Sequence, residues 1–239
     1  MALKSIIVDN KEFDIVYDIV NVNKDKTIVF LHGWGSNKEI MKQAFSSYLK
    51  EYKHIYIDMP GFGKSVTSYS LTTKDYANII DTFLKNLNLN IVAIAGHSFG
   101  GKVATLLNPD NLILLSTAGL LEEKPLDVKL KIKASKIFNS LGLGKITKVF
   151  RSKDVDKMSE NMYQTFKNVV NEDFTNNFNS YEKNGMIFWG EDDNATSLES
   201  GKKIHSLIKN SSFDSYKSDH YFFLKFASDI CQKIENGIR

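Results

Sequence analysis

The chain has 239 residues, 42% of them hydrophobic and 25% charged, and a formal net charge of +3. These values are ordinary for a globular protein, and so small a charge argues against nucleic acid as a partner. The sequence has no uninterrupted apolar run of about eighteen residues and begins without the apolar core of a signal peptide, so we expect a cytoplasmic protein with no membrane span.

The first half of the chain alternates predicted strands with predicted helices. Residues 13–20 alternate roughly between apolar and polar, which suits an antiparallel edge strand, whereas the continuous apolar run of residues 27–31 suits a buried strand. Further strands are predicted at residues 54–58 and 91–95. The helical stripes between them consist of Met41, Phe45, Tyr48, Leu49 and Tyr52, and of Tyr76, Ile80, Phe83, Leu84 and Leu87.

The alternation continues in the second half, on both sides of a long insertion. Strands are predicted at residues 112–115, 186–189 and 213–216, and the last helix begins near Tyr221 and contains the single cysteine, Cys231, as a buried apolar residue. Strands that alternate with helices predict an α/β fold with a doubly wound, mostly parallel sheet. We therefore assign residues 1–117 and 186–239 to the core and residues 118–185 to an inserted helical cap.

The predicted cap carries two helical stripes and a local positive charge. The stripes are Leu130, Ala134, Ile137, Phe138 and Leu141, and Met158, Met162, Phe166, Val169 and Val170. Residues 124–157 hold ten Lys or Arg against three Asp. One interpretation of this excess of positive charge is an outer face in contact with solvent. The other is that Lys129, Lys131, Lys133 and Lys136 attract acidic substrates or an anionic surface.

Four loops follow the carboxyl ends of predicted strands, where open α/β sheets bind their ligands. They are residues 32–35 (HGWG), 58–63 (DMPGFG), 96–101 (GHSFGG) and 190–193 (GEDD). Because the carboxyl ends of parallel strands share one edge of the sheet, we expect all four loops to crowd one rim.

The third loop contains Gly-x-Ser-x-Gly, with Ser98 between a predicted strand and a predicted helix. This pattern is the nucleophile elbow, a turn so tight that bulky neighbours would clash and the serine hydroxyl is held outward. The backbone N–H of Phe99, at the start of the helix, is expected to stabilise an oxyanion. The N–H of Trp34, in the first loop, is the second candidate for this oxyanion hole.

A nucleophilic serine needs a general base and a carboxylate that orients the base. Among the five histidines, His220 is preferred because it lies in the turn between a strand and the last helix, and His205 is the alternative. The loop at residues 190–193 offers three carboxylates in a row. Asp193 is the preferred acid, because the third residue past the glycine commonly carries it, and Asp192 is the alternative.

These motifs resemble, in the proper order, those of the α/β-hydrolase superfamily. The matching blocks are residues 31–35, 58–65, 96–101, 189–193 and 219–220, so the resemblance covers nearly the whole chain. It implies a serine hydrolase that uses neither cofactor nor metal and acts on a small-molecule substrate through Ser98, Asp193 and His220. Dehalogenases of this fold use an aspartate nucleophile, so Ser98 argues against that activity.

One competing motif points to a different chemistry. Residues 61–65 (GFGKS) end like a phosphate-binding P-loop, but the first glycine of that motif would fall at Asp58, whose charge would repel a phosphate. The leading function is therefore hydrolysis of a carboxylic ester. The alternatives are hydrolysis of a carbon–carbon bond in a dicarbonyl-type compound and a binding protein built on the same fold.

Overall fold

A computed structural model describes residues 1–121 and 158–238. Within these residues, the strands are β1 (Ala2–Val8), β2 (Lys11–Val20), β3 (Lys26–Leu31), β4 (Lys53–Ile57), β5 (Asn90–His97), β6 (Asn111–Leu115), β7 (Asn184–Gly190) and β8 (Ser211–Tyr216). The helices are α1 (Lys38–Phe45), α2 (Thr73–Lys85), α3 (Phe99–Leu107), α4 (Glu160–Val169), α5 (Thr175–Asn179), α6 (Leu198–Leu207) and α7 (Phe223–Gly237).

The strands form one sheet in the order β1-β2-β4-β3-β5-β6-β7-β8. From β4 to β8 every neighbouring pair is parallel, whereas β2 is antiparallel to both β1 and β4. Helices cover both faces, with α2, α3, α4 and α6 contributing to one buried cluster and α1 and α7 to the other. The predicted doubly wound, mostly parallel sheet is therefore confirmed.

The edge of the sheet differs from the prediction. Residues 13–20 were expected at the edge, but β2 lies between β1 and β4, and β1 forms the edge. The pattern of β1 is hard to recognise because Lys4 and Ser5 interrupt its apolar residues and Ile6 alone in this strand is buried. Cys231 is buried in α7, as expected.

Helix α2 fixes one of the loops at the rim. Its first turn has a complete capping box, in which Thr72 and Asp75 exchange side-chain and backbone hydrogen bonds. From the buried face of this helix, the Tyr76 hydroxyl donates a hydrogen bond of 2.8 Å to the carbonyl oxygen of Pro60. The loop after β4 is thereby anchored to a helix that packs on the sheet.

The described part of the predicted cap consists of α4 and α5. Met162, Thr165 and Val169 are buried, whereas Val170, which was expected in the same stripe, is the C-cap of α4 and is 46% exposed. The Thr165 hydroxyl accepts a hydrogen bond of 3.0 Å from the N–H of Leu71, so α4 lies against the core.

The remainder of the predicted cap, with its first helical stripe and the four lysines named above, lies outside the described residues. In the part of the chain that the structure describes, no helix has the length and apolar character of a membrane span.

Gly100 allows α3 to pack closely on β3. A Cβ at this position would lie 2.6 Å from the carbonyl oxygens of Leu31 and His32. Because backbone rather than flexible side chains would have to move, we expect Gly100→Ala to lower the free energy of unfolding by about 3 kcal/mol, measured by denaturant titration.

Gly185→Ala is the matched control for this substitution. Its Cβ would lie 3.1 Å from Cγ2 of Ile208 and Cβ of Ser211, so these neighbours would have to give by only a few tenths of an ångström. We therefore expect a clearly smaller loss of stability. Equal losses for the two variants would contradict the close packing of α3 on β3 as the cause.

Candidate active site

Ser98 lies in the turn between β5 and α3. Its backbone has φ 51° and ψ −115°, in a region that costs a non-glycine residue about 1–3 kcal/mol. The turn is held from two sides, because the Ser98 N–H donates to the Leu115 carbonyl oxygen at 3.1 Å and its own carbonyl oxygen accepts from the N–H groups of Gly101 and Ala118. These bonds balance the strain and fix the serine at the start of a helix.

The loop after β3 approaches this turn directly. A Cβ at Gly33 would lie 2.9 Å from Nδ1 of His97 and 3.2 Å from Cβ of Ser98, so only glycine fits there. The neighbouring Trp34 ring packs edge-on against the Phe99 ring, with the centroids 5.6 Å apart. The two residues expected to form the oxyanion hole, Trp34 and Phe99, therefore meet beside Ser98.

His220 and Asp193 are joined by a short hydrogen bond. Nδ1 of His220 lies 2.6 Å from Oδ2 of Asp193, and 15% of the histidine side chain is exposed against 0% of the aspartate side chain. Because an ionised carboxylate only accepts hydrogen bonds, Nδ1 carries a proton, and in the neutral ring Nε2 is then the acceptor. This is the arrangement that a general base requires.

Asp193 is held in place by the start of the segment that leads to α6. Its Oδ1 accepts hydrogen bonds from the N–H groups of Ala195 at 2.7 Å and Thr196 at 3.0 Å, and the Thr196 hydroxyl donates to Oδ2. Burial opposes ionisation of Asp193, but these bonds and the one from His220 outweigh it and lower its pKa to about 2. The carboxylate is therefore charged throughout the neutral range.

His97 contacts His220 from the buried side. Their ring centroids are 4.5 Å apart, and Nε2 of His97 donates to the backbone carbonyl oxygen of His220 at 3.1 Å. Burial, together with the proximity of His220, lowers the pKa of His97 to about 3. His97 is accordingly neutral and supports the loop that carries His220.

The other histidines lie elsewhere. His32 is fully buried, accepts a hydrogen bond from the Met59 N–H at 3.1 Å, and has its pKa lowered by burial to about 4. His54 is buried within β4. His205, the alternative base, is exposed on α6, where its Nδ1 lies 2.8 Å from Oγ of Ser211.

Ser98 lines a cavity of about 500 Å³ between the carboxyl ends of the strands and α4. Its wall is largely apolar, with Trp34, Phe99, Phe166 and Val169 among its lining residues. Lys102 and Glu172 add a charged pair to this lining, with Lys102 Nζ 2.7 Å from Glu172 Oε2. Among the described residues, no cluster of His, Cys, Asp or Glu side chains is arranged to hold a metal ion.

Sequence reasoning did not single out Thr196, Lys102 or Glu172. Thr196 could have been found, because an aspartate followed three residues later by threonine is typical of a turn. In such a turn the carboxylate accepts hydrogen bonds from the residues that follow it. Lys102 gave a weaker signal as a charged residue inside the apolar helix α3. Glu172 gave no signal, because its importance comes from its contact with Lys102, which lies 70 residues earlier in the sequence.

The loop after β4 holds a carboxylate of the chain itself. Oδ1 of Asp58 accepts a hydrogen bond from the Lys38 N–H at 2.8 Å, and Oδ2 accepts from the Lys64 N–H at 3.0 Å. Asp58 thus accepts a hydrogen bond from the backbone N–H of Lys64 in the GFGKS segment, where a P-loop would bind a phosphate. This geometry agrees with the sequence argument against nucleotide binding.

Solved structures with the same fold cover nearly the whole chain. An esterase from Exiguobacterium antarcticum matches with a TM-score of 0.73 and 21% identity, over 95% of this chain and 96% of that one. The enol-lactonase from Burkholderia xenovorans matches with a TM-score of 0.75 and 14% identity, over 98% of both chains. At these identities the likeness concerns the fold.

Curated relatives match over shorter stretches. A putative esterase/lipase of Mycoplasma genitalium is 28% identical over 102 residues, which are 41% of this chain and 38% of that protein. The pimeloyl-[acyl-carrier protein] methyl ester esterase of Vibrio campbellii is 36% identical over 78 residues, 33% of this chain and 29% of that protein. The matched stretches thus span less than half the length of these relatives.

The model of the alpha/beta hydrolase family matches residues 28–177. This match takes in the loop after β3, the turn at Ser98 and helix α4, and it covers more than half of the chain. The resemblance expected from the sequence motifs is confirmed, and the chain belongs to the alpha/beta hydrolase family.

Proposed function

We propose that this protein is a serine hydrolase of small carboxylic esters, with Ser98 as nucleophile, His220 as general base and Asp193 as the acid that orients the base. The observation that carries the proposal is the 2.6 Å bond between Nδ1 of His220 and Oδ2 of Asp193, in a loop that packs against the residue preceding Ser98. A serine, a histidine with Nε2 unprotonated and a buried carboxylate are the groups that acyl transfer requires.

The reaction begins with attack of the Ser98 hydroxyl oxygen on the ester carbonyl carbon. Nε2 of His220 takes the proton of the hydroxyl, and Asp193 stabilises the imidazolium that results. His220 then returns the proton to the leaving alcohol as the carbon–oxygen bond of the ester breaks. Water, activated by the same histidine, hydrolyses the acyl-serine and restores the enzyme.

The negative charge that develops on the carbonyl oxygen is placed beside Ser98. The N–H of Phe99, the first residue of α3, and the N–H of Trp34 are the proposed donors, and the positive end of the helix dipole of α3 favours an anion at the same place. Gly33 supports this role, since it lets the loop of Trp34 approach Ser98.

The shape of the site favours a small substrate, and the relatives favour an ester. A cavity of about 500 Å³ with a mostly apolar lining suits a short acyl or alcohol chain. Two relatives are named for ester hydrolysis, a putative esterase/lipase and a pimeloyl-[acyl-carrier protein] methyl ester esterase, and these names support the ester bond rather than the size of the substrate.

A fluorophosphonate probe tests the proposal. We expect intact mass spectrometry to show one adduct on the folded protein, located at Ser98 by peptide mapping, because an activated serine beside an oxyanion hole reacts where surface hydroxyls do not. Protein unfolded in denaturant is the control and should not react. A folded protein that fails to label, and that hydrolyses neither short esters nor dicarbonyl carbon–carbon substrates, would favour a binding protein.

A further inference from the structure

The charged pair of the cavity lies one helical turn beyond Ser98. Lys102 follows Ser98 by four residues on α3, which corresponds to a rise of about 6 Å along the helix. Its side chain is 3% exposed, whereas that of its partner Glu172 is 29% exposed, and both residues line the cavity that contains Ser98. A substrate chain that extends from the serine along α3 therefore reaches this pair.

The ammonium group of Lys102 is already engaged by the protein. Nζ donates to the Val169 carbonyl oxygen at 2.6 Å and to Oε2 of Glu172 at 2.7 Å. It also lies over the rings of Phe99 and Phe174, at 5.8 Å and 4.9 Å from their centroids. The cation is buried among these partners, and it is neutralised by Glu172.

Glu172 is the member of the pair that a ligand can reach. Its Oε2 also accepts a hydrogen bond from the Thr73 hydroxyl, so the carboxylate is fixed by α2 as well as by α3. A ligand carboxylate at this end of the cavity would be repelled by Glu172 and could reach the ammonium only by displacing it. A neutral donor such as a hydroxyl could instead donate to the glutamate.

We propose that Glu172, held by Lys102, determines specificity at this end of the cavity: the site accepts esters whose chain ends in a neutral hydrogen-bond donor and rejects esters whose chain ends in a carboxylate. The inference rests on the proposed function, since it concerns the substrate of the same site.

Two matched series of esters test this specificity. In each series one short chain ends in a methyl, a hydroxymethyl or a carboxylate group. The chain is on the acyl side in one series and on the alcohol side in the other. Hydrolysis is followed in a pH-stat at neutral pH and fixed ionic strength. In the series whose chain enters the cavity, we expect the wild-type kcat/KM for the carboxylate ester to be at least tenfold below that for the methyl ester. The kcat/KM for the hydroxymethyl ester should equal or exceed that for the methyl ester.

Variants of the pair should change this preference in opposite directions. Glu172→Gln keeps the size of the side chain and uncovers the charge of Lys102, so the ratio of carboxylate to methyl ester should rise at least tenfold. Lys102→Gln leaves the glutamate uncompensated, so the ratio should fall further. Glu172→Ser is an independent variant that removes the same charge. Glu199→Gln, in the exposed pair with Lys202 on α6, is the control and should leave the ratio unchanged.

The inference is wrong if the wild type hydrolyses carboxylate and methyl esters equally well in both series, or if the folded Glu172 variants leave the ratio unchanged. Melting curves identify the variants that fold. Failure of the proposed function has a different signature, namely no hydrolysis of the methyl-ended esters in either series and no fluorophosphonate adduct on the wild type.

Discussion

Ser98→Ala is expected to lower kcat for a short ester by about 10⁵- to 10⁶-fold, because loss of the nucleophile removes the contribution of the whole triad, which acts as a unit. The residual rate, from the oxyanion hole and binding alone, should still exceed that of the uncatalysed reaction. The fluorophosphonate adduct should disappear at the same time. Initial rates at saturating substrate and intact mass measure the two effects.

Ser47→Ala is the matched control for this substitution, since Ser47 is an exposed serine in the loop after α1. It should leave both rate and labelling unchanged. The variant at Ser98 should unfold at the same denaturant concentration as the wild type, because alanine keeps the backbone conformation of the turn. If the folded Ser98→Ala protein retained a tenth of the activity, another nucleophile would be required.

Asp193→Asn is expected to reduce kcat by about 10⁴-fold. Its amide group would donate to Nδ1 of His220 or leave that atom without a fixed proton, so that Nε2 would no longer be the free acceptor. The loss should be the same across the neutral range, because the wild-type carboxylate, with its pKa lowered to about 2, is fully ionised throughout it. Steady-state rates across the neutral range measure the effect.

Asp192→Asn is the control, because it removes a carboxylate from the adjacent exposed residue. We expect a change of less than about threefold, since the structure gives the bond with His220 to Asp193. If Asp192→Asn caused the larger loss, the acid would have to be reassigned by one residue. Melting curves for both variants separate a loss of activity from a loss of fold.

The parallel core could be predicted because its strands are nearly continuous apolar runs. Residues 27–31 and 93–95 are buried and Ile91 and Val92 are half-buried, so both runs are apolar on both faces of the sheet and no polar alternation obscures them. Strand β1 was missed because it is an edge strand whose side chains are mostly exposed, and its position depends on pairing with β2. Local patterns carry little information about such strands.

The turn at Ser98 and the loop at Asp193 could be located for a different reason. A tight turn between strand and helix demands small residues at fixed spacing, and this demand is visible in GHSFGG. The hydrogen bond between Asp193 and His220 also joins two loops that follow neighbouring strands, β7 and β8. Topology alone brings such loops together.

The pair Lys102 and Glu172 could not be predicted in this way. The two residues are brought together by the packing of α4 and the following loop on α3, and the sequence offers no spacing rule for that contact. Their hydrogen bond spans 70 positions of the chain. The proposed specificity thus depends on a contact between a helix and a loop, whereas the proposed chemistry depends on loops that follow the strands of the sheet.

The connection between β6 and β7 has a consequence for how proteins of this kind diversify. These strands are hydrogen-bonded neighbours, yet the chain leaves the sheet after Leu115 and returns at Asn184. Since the entropy of closing a loop grows only with the logarithm of its length, doubling such an excursion costs about 0.6 kcal/mol. A change of length in this connection therefore costs little loop-closure entropy when it spares α4 and α5, whose side chains are buried in the core, so such changes can occur while the strands that precede Ser98, Asp193 and His220 stay unchanged.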